Sequence, residues 1–584
     1  MEINQKIEFN IKTTFKFKFY FKKKKLILNL INNYSRIKIK NIQKNIEMEA
    51  EKDKTQNQED LKEKINKLSG TQFLILKNLQ GLLNLVLEEI ADFKQSNPMK
   101  VKSISVLSFI ISQCGYKISP DTYTKSGGIL SNIYKYIDGD EDISQKCDEC
   151  SVMIGKSTDQ NILIPLIIKT ITEMETTSSY QPLYVRIKFL ANYLDQLPNI
   201  SNDNTKIILD TLNTLDIFNI DDQNFSKKIL INLFNIYNSI INSLKENCTK
   251  YHELIFFPLL LLSSLPETFE IRNNVITAMT ELAKNCKCSV EDLYSLEIGN
   301  VLEKFQSTYK NWKRNSPDRF AFDIYVKLAG TALEKHWTQV LLIISQCCEA
   351  EKDIEMRMDM ILLLDKIICQ KELKEQLKNY TEFILPEILF PACVWRVGRP
   401  NYKVRKAAML DIIHMFDNEL IDSEIVLKFF TDFNSTLKST LEDDWDAELR
   451  YIALQLLKSL LITVKDTMKY DHMSDMYIMI LKRLDDSQDA CRILTCDVLI
   501  IFLEIGKRLQ ISESIYEYMI NNSFIHLDDP NEKVREAVGK YLMEAATIHT
   551  KCFLKICEKN ENSFTHKSNF NEVKGKAEEI LSKQ

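Results

Sequence analysis

Leu484-Asp485-Asp486 ends six residues before Arg492, and Leu527-Asp528-Asp529 ends six residues before Arg535. One step earlier, Leu441-Glu442-Asp443-Asp444 stands at the same interval before Arg450. With Arg405 the four arginines lie 45, 42 and 43 residues apart. An apolar helical run follows each of the last three: Tyr451 to Leu461, Ile493 to Leu503 and Glu536 to Ala546. A repeat of about 40–47 residues with two helices per unit is the sequence signature of HEAT or armadillo arrays. One such unit cannot bury its apolar face alone, so copies stack, and the stacked surface binds other proteins. The expectation is an all-α chain, an α-solenoid of about 9–11 HEAT-type helical hairpins.

Fainter copies run upstream. Val185-Arg186 opens Ile187 to Leu197, Lys228 lies in Phe225 to Ile241, and Ile271-Arg272 opens Asn273 to Leu282. Arg319 precedes Phe320 to Leu333, and Met356-Arg357 precedes Met358 to Ile368. Leu74, Leu79, Leu82 and Leu83 mark a first apolar face, and Asn97-Pro98 punctuates before the next helix. Gln113 to Ser157, with Gly127-Gly128 and Asp138-Gly139-Asp140-Glu141-Asp142, reads as a long turn or degenerate repeat. The division expected is a basic segment 1–47, a charged helix or tether 48–70, degenerate repeats 71–384, well-formed repeats 385–550, and a tail 551–584. That tail is expected to be frayed from Lys559 to Asn571, with a short helix at Val573 to Leu581.

Only 13 Gly and 12 Pro occur in 584 residues, too few for a turn-rich β-sandwich or a glycine-dependent nucleotide fold. The 14 cysteines are scattered, several inside apolar runs (Cys369, Cys393, Cys496), which suits reduced, buried thiols of a cytoplasmic protein. The longest apolar stretch, Leu254 to Pro266, is about 13 residues, short of the roughly 20 that a membrane span needs. Residues 1–47 carry 12 Lys/Arg against 3 Asp/Glu, which leaves the rest of a chain of net charge −5 strongly acidic. An acidic body does not suit general nucleic-acid binding, which needs a basic stripe. The first 47 residues are nearly all Lys, Ile, Asn and Phe, and Met48-Glu49-Ala50-Glu51 opens ordinary composition, so translation from Met48 is one expectation.

The repeated residues explain themselves structurally. The carboxylates of each turn (Asp444, Asp486, Asp529) stand where a helix N-terminus favours negative charge. An arginine fork beside them (Arg405, Arg450, Arg492, Arg535) can hold the Asp of its own or the next unit. The segment Phe390-Pro391-Ala392-Cys393-Val394-Trp395-Arg396-Val397-Gly398-Arg399-Pro400 breaks that rule, with arginines where the Leu-Asp-Asp turn should be. Trp395, Arg396 and Arg399 are the candidate partner contact, since Trp and Arg are common interface anchors. Packing is the commoner fate of a tryptophan at a helix end, and for Trp395 it is the first expectation.

Signals for chemistry are thin. Cys147-Asp148-Glu149-Cys150 is a lone pair without a second pair at zinc spacing, and Cys114 and His252 are distant. Cys286-Lys287-Cys288 and Cys347-Cys348 are weaker. The seven histidines are isolated from any hydrolase motif, and Gly127-Gly128 lacks the Gly-Lys-Ser/Thr of a phosphate loop. No catalytic residue, metal site or cofactor is expected.

Val394-Trp395-Arg396-Val397-Gly398-Arg399, followed by Val404-Arg405-Lys406-Ala407-Ala408, resembles the HEAT-repeat family of the fifth dynein axonemal assembly factor. Leu481-Lys482-Arg483-Leu484-Asp485-Asp486-Ser487 and Leu527-Asp528-Asp529-Pro530 carry the same resemblance, which covers roughly residues 380–550. It implies a cytoplasmic, non-enzymatic scaffold for pre-assembly of ciliary dynein arms. The implied partners are dynein heavy or intermediate chains and chaperones or co-chaperones. Another HEAT scaffold, such as a phosphatase regulatory subunit or a transport-receptor-like adaptor, is the alternative.

Overall fold

The computed structural model describes residues 75–583, apart from 77, 93, 174–179, 221–222, 444–445 and 562–566. Segments 1–47 and 48–70, the Met48 start and Asp444 therefore lie outside the described residues. Among the described residues there are helices and no strand. The chain divides into two compact units, Met1–Cys288 and Ser289–Gln584.

In the first unit two layers of helices alternate along the chain. One layer holds Asn97–Cys114, Glu141–Ser157, Gln181–Leu194, Gln223–Leu244 and Arg272–Asn285, each packed on the next. The other holds Gln160–Thr172, Asn202–Thr214 and His252–Ser264. The run from Ile255 to Ser264 is buried throughout, which is why it is apolar on every side rather than striped. Gln113 to Ser157 is not a long turn. It contains the helices Pro120–Thr124, Ile129–Tyr136 and Glu141–Ser157, and its Gly-rich and acidic stretches are the short connections between them.

The second unit repeats the plan more regularly. Its inner sequence is Pro317–Ala329, Ile354–Ile368, Arg399–Asp417, Ala447–Thr463, Asp489–Leu509 and Glu532–Ala545, again each packed on the next. Helices such as Trp337–Cys347, Phe430–Leu441, Glu513–Phe524 and Thr550–Asn560 form the facing layer. Each unit is thus a stack of helical hairpins around one continuous apolar seam, as an α-solenoid requires.

The tail differs from expectation. Its last helix spans Lys567–Lys583, longer than the short segment read from the sequence, and packs on both Glu532–Ala545 and Thr550–Asn560. Phe570, Val573 and Ala577 are buried there, so the last hairpin covers an open end of the stack. The sparse apolar spacing among lysines and glutamates hid this helix.

Before the break at Trp395 the chain forms a helix interrupted by a π turn, Leu385–Leu389. Pro391 has no N–H and its ring clashes with an ordinary helical carbonyl four residues back, so the turn widens. The Glu387 carbonyl, deprived of that donor, accepts the Ser345 hydroxyl at 3.1 Å.

Candidate functional site

The arginine ladder is real, and it runs forward. Arg357, Arg450, Arg492 and Arg535 each occupy the fourth position of an inner-layer helix. From there a guanidinium reaches its own preceding turn and the turn of the next unit. Arg450 donates to the Asp443 carbonyl at 2.9 Å and forks onto Asp486 at 2.6 and 2.9 Å. Arg492 donates to the Asp486 carbonyl at 2.7 Å and pairs with Asp529 at 3.0 Å. Arg405 pairs with Asp443 at 2.9 Å and donates to Thr440 at 2.7 Å. Arg535, the last, donates only to the Asp529 and Pro530 carbonyls among the bonds formed by described residues.

Two details depart from the sequence reading. Asp443, which the sequence reading left out, takes part in the first rung: its carboxylate answers Arg405, and Arg450 donates to its carbonyl seven residues back where Arg492 and Arg535 reach back six. The turn acids also do not cap helices directly. Asp486 accepts from the Gln488 amide at 3.1 Å and Asp529 from the Asn531 amide at 2.8 Å, which fixes the turn. Capping falls to other residues, Asn531 at 2.9 Å from Lys533 and Asp446 at 2.8 Å from Glu448.

Upstream the rule weakens as the sequence suggested. Arg319 pairs with Asp359 at 3.2 Å. Arg186 lies over the Tyr134 ring of the preceding repeat at 5.0 Å, and Lys228 lies over Tyr184 at 5.2 Å while pairing with Asp138 at 3.2 Å. Neither makes a two-pronged carboxylate fork like that of Arg450 on Asp486.

At the break the ladder has no acid. Arg357 donates to the Cys348 carbonyl at 3.1 Å and meets the Asn401 amide oxygen at 3.4 Å, where Arg405 and its successors meet carboxylates. Burial first, then the neighbouring Arg396 charge, disfavours the Arg357 cation. Arg396 itself is half-buried, and its Nε is buried without a hydrogen-bond partner. Gly398 has φ of +107°, a conformation open to glycine and strained for other residues, and it turns the loop so that Val394, Trp395 and Val397 point outward. Trp395 is 52% exposed, so the packing expectation for it is overturned. The loop is too short, with the next helix already starting at Arg399, to fold the indole back into the seam.

Trp395, Arg396, Val397 and Arg399 form one wall of a cavity of about 760 Å³. Tyr402 and Arg405 line its floor, and Asp443, Asp446 and Glu448 line the far side. Those three acids are already engaged: Asp443 with Arg405 at 2.9 Å, Asp446 with the Glu448 amide, and Glu448 with Lys406 at 2.5 Å. The sequence marked this segment by its missing acid, but its openness was legible only once Gly398 was seen to hold a positive φ.

Cys147 and Cys150 lie on the buried face of Glu141–Ser157, fully covered. Burial pushes the Cys147 thiol up to about 12 and Cys150 higher still, which disfavours the thiolates that a metal needs. Most cysteines are buried as expected, but Cys369 is exposed at a helix end. There Asp365, Cys369 and His414 gather, a group the sequence reading missed, with donor atoms within 4.8 Å of one another. Its signal was a carboxylate and a thiol four residues apart with a histidine one repeat on. The donors are spent on each other: His414 Nδ1 lies 2.6 Å from Asp365, and Cys369 donates to the same oxygen at 3.7 Å. Burial, then Asp365, push that thiol up to about 11.

Stacked helical hairpins, a repeated arginine–carboxylate ladder along the turns and an open break define a HEAT-repeat array. The model of the family described as "Dynein axonemal assembly factor 5, HEAT-repeat domain" matches residues 61–265. Dynein axonemal assembly factor 5 of Homo sapiens is 21% identical over 520 residues, covering 84% of this chain and 59% of that protein. The Xenopus laevis counterpart is 19% identical, covering 84% and 60%. The chain is thus similar to the dynein axonemal assembly factor 5 family across most of its length. It spans less than two thirds of the length of these relatives. Among solved structures, importin beta aligns at a TM-score of 0.33 with 11% identity, covering 86% of this chain and 62% of that one. Kap121p bound to Pho4p aligns at 0.32 with 12% identity, covering 85% and 56%. The family match falls on the first unit, where the period is softest, and so extends the resemblance well upstream of residue 380. No helix among the described residues is long and apolar enough to cross a membrane.

Proposed function

We propose that the chain is a non-enzymatic scaffold for cytoplasmic pre-assembly of axonemal dynein arms. The observation that carries this reading is the kinship with dynein axonemal assembly factor 5 over 84% of the chain, joined to a fold built for protein contact. Dynein heavy or intermediate chains and chaperones or co-chaperones are the partners in this reading, held on the surface of the stack without residue chemistry. Neither nucleic acid nor membrane takes part, in keeping with the acidic charge of the chain beyond residue 47. Trp395, Arg396 and Arg399 are the contact residues, because they line an open cavity at the turn where the ladder has no acid.

Deletion in a ciliated cell tests the function. Immotile cilia whose axonemes lack outer or inner dynein arms in electron micrographs are expected, and normal arms overturn the reading. Affinity purification from ciliating cells separates the alternatives: dynein chains favour arm assembly, whereas a phosphatase catalytic subunit or Ran favours another HEAT scaffold.

A further inference from the structure

The three downstream rungs define what an inner-layer arginine needs. Arg405, Arg450 and Arg492 are each answered by a carboxylate from the next turn, within 2.6 to 3.0 Å. At the break that turn supplies Trp395, Arg396 and Arg399 instead. Among the described residues no carboxylate lies within ion-pair distance of Arg357, Arg396 or Arg399, although ion pairs are frequent elsewhere in this unit. The Arg396 Nε is buried and unanswered, as is that of Arg405, but Arg405 is paired through its Nη1 and Arg396 has no ion pair among the described residues. A half-buried guanidinium whose Nε lacks an acceptor carries a desolvation cost that a ligand carboxylate can remove. Beside it stand an exposed indole and the 77% exposed Val397, on the rim of a cavity with room for two or three side chains.

We propose that this cavity binds an acidic segment of a partner protein. A partner Asp or Glu takes the place of the missing ladder acid at Arg396 and Arg399, and an adjacent large apolar residue packs on Trp395. The occupant is a short peptide stretch of acidic and apolar residues, chosen by charge complementarity. The lining carries three arginines and three carboxylates, but Arg405 and Asp443 answer each other, Glu448 is held by Lys406 and Asp446 by a backbone amide, so the unanswered charges are Arg396 and Arg399. A basic segment would meet those two cations, and a purely apolar one would leave them unpaired. This inference rests on the scaffold reading and names the chemistry of its contact.

The test pans a random heptapeptide display library against the full chain, with counter-selection on the double variant Arg396→Glu/Arg399→Glu. Expected are wild-type-specific peptides carrying Asp or Glu within two positions of Leu, Ile, Phe or Trp. Synthetic copies with Asn or Gln in place of the acid should bind at least tenfold more weakly. Trp395→Ala should weaken the parent peptides comparably while leaving the thermal melt within a degree or two of wild type. Peptides without acids, equal enrichment on wild type and double variant, or no enrichment at all overturn the proposal. So does displacement by inorganic phosphate at low millimolar concentration with no contribution from the apolar neighbour, which would assign the arginines to a phosphate group. Cilia without arms on deletion, combined with such a failure, would sink this contact and leave the scaffold function standing.

Discussion

Arg450 and Arg535 share a position in the repeat and differ in what answers them, and that difference orders the cost of losing each. The Arg450–Asp486 fork is buried on both sides, with side chains 6% and 0% exposed. Removing one member of such a pair strands the other, a loss of roughly 3–5 kcal/mol. Arg535 makes only two bonds to carbonyls and is half-buried, so Arg535→Ala should cost about 1 kcal/mol. Urea melts should rank Arg450→Ala as most damaging, Arg492→Ala next and Arg535→Ala least; equal losses would mean that the forks add nothing beyond the turn contacts. Two aspartates pull in opposite directions with pH. Burial raises Asp486, but bonds from Arg450 and the Gln488 amide outweigh it and hold the carboxyl below its ordinary range. Its contribution is present above about pH 4 and lost as pH falls through the folded value. Asp411 is held well above its ordinary range by burial, then by Asp365, and its Oδ2 has no partner. Because the folded state keeps that proton more tightly, stability is lost as pH rises from the ordinary carboxylate value towards the folded one. Asp411→Asn should therefore flatten that loss in melts taken between pH 4 and 7, whereas Asp486→Asn should remove stability above pH 4.

Helices are where the sequence was most and least legible. The inner helices of the second unit could be read because Val-Arg or its equivalent fixes where each begins, and the apolar run fixes the buried face. Lys567–Lys583 could not, since only Phe570, Val573 and Ala577 face inward among 17 residues that are otherwise mostly polar or charged. Its ring contacts show its purpose: Phe570 lies 6.2 Å from Phe524, which itself stacks near Phe553 at 5.5 Å. Truncation after Asn560 should uncover this cluster and cost on the order of 2 kcal/mol for each large apolar side chain re-exposed. Lower melting temperature and concentration-dependent aggregation are the expected readouts. An unchanged melt would mean that the last helix is an appendage, as its composition first suggested. The Trp395 loop was legible in identity but not in exposure. Burial depends on a positive φ at Gly398 and on the early start of Arg399–Asp417, and neither leaves a period to read.

Taken over the whole chain, the two units hold their turns by different physics. The first combines cations laid over tyrosines with single ion pairs such as Lys228–Asp138, the second uses buried arginine–carboxylate pairs between successive turns. The buried forks satisfy the turn charges of the second unit, which leaves the turn at Trp395 as the exception among them. That gives a prediction separating architecture from function. Trp395→Ala combined with Arg396→Glu alters residues whose side chains contribute no ion pair among the described residues and an indole that is half open to water. Stability should not fall, since Arg396→Glu removes a half-buried cation that crowds Arg357 and supplies an acid where the ladder has none. Arg450→Ala should do the reverse, weakening the stack while leaving the cavity walls at 395–399 in place. Returned to cells that lack the protein, the first variant should accumulate to normal levels and fail to restore dynein arms. The second should restore arms in proportion to how much folded protein survives. If the stable variant rescues fully, the break at Trp395 is an architectural irregularity and the partner surface lies elsewhere on the stack.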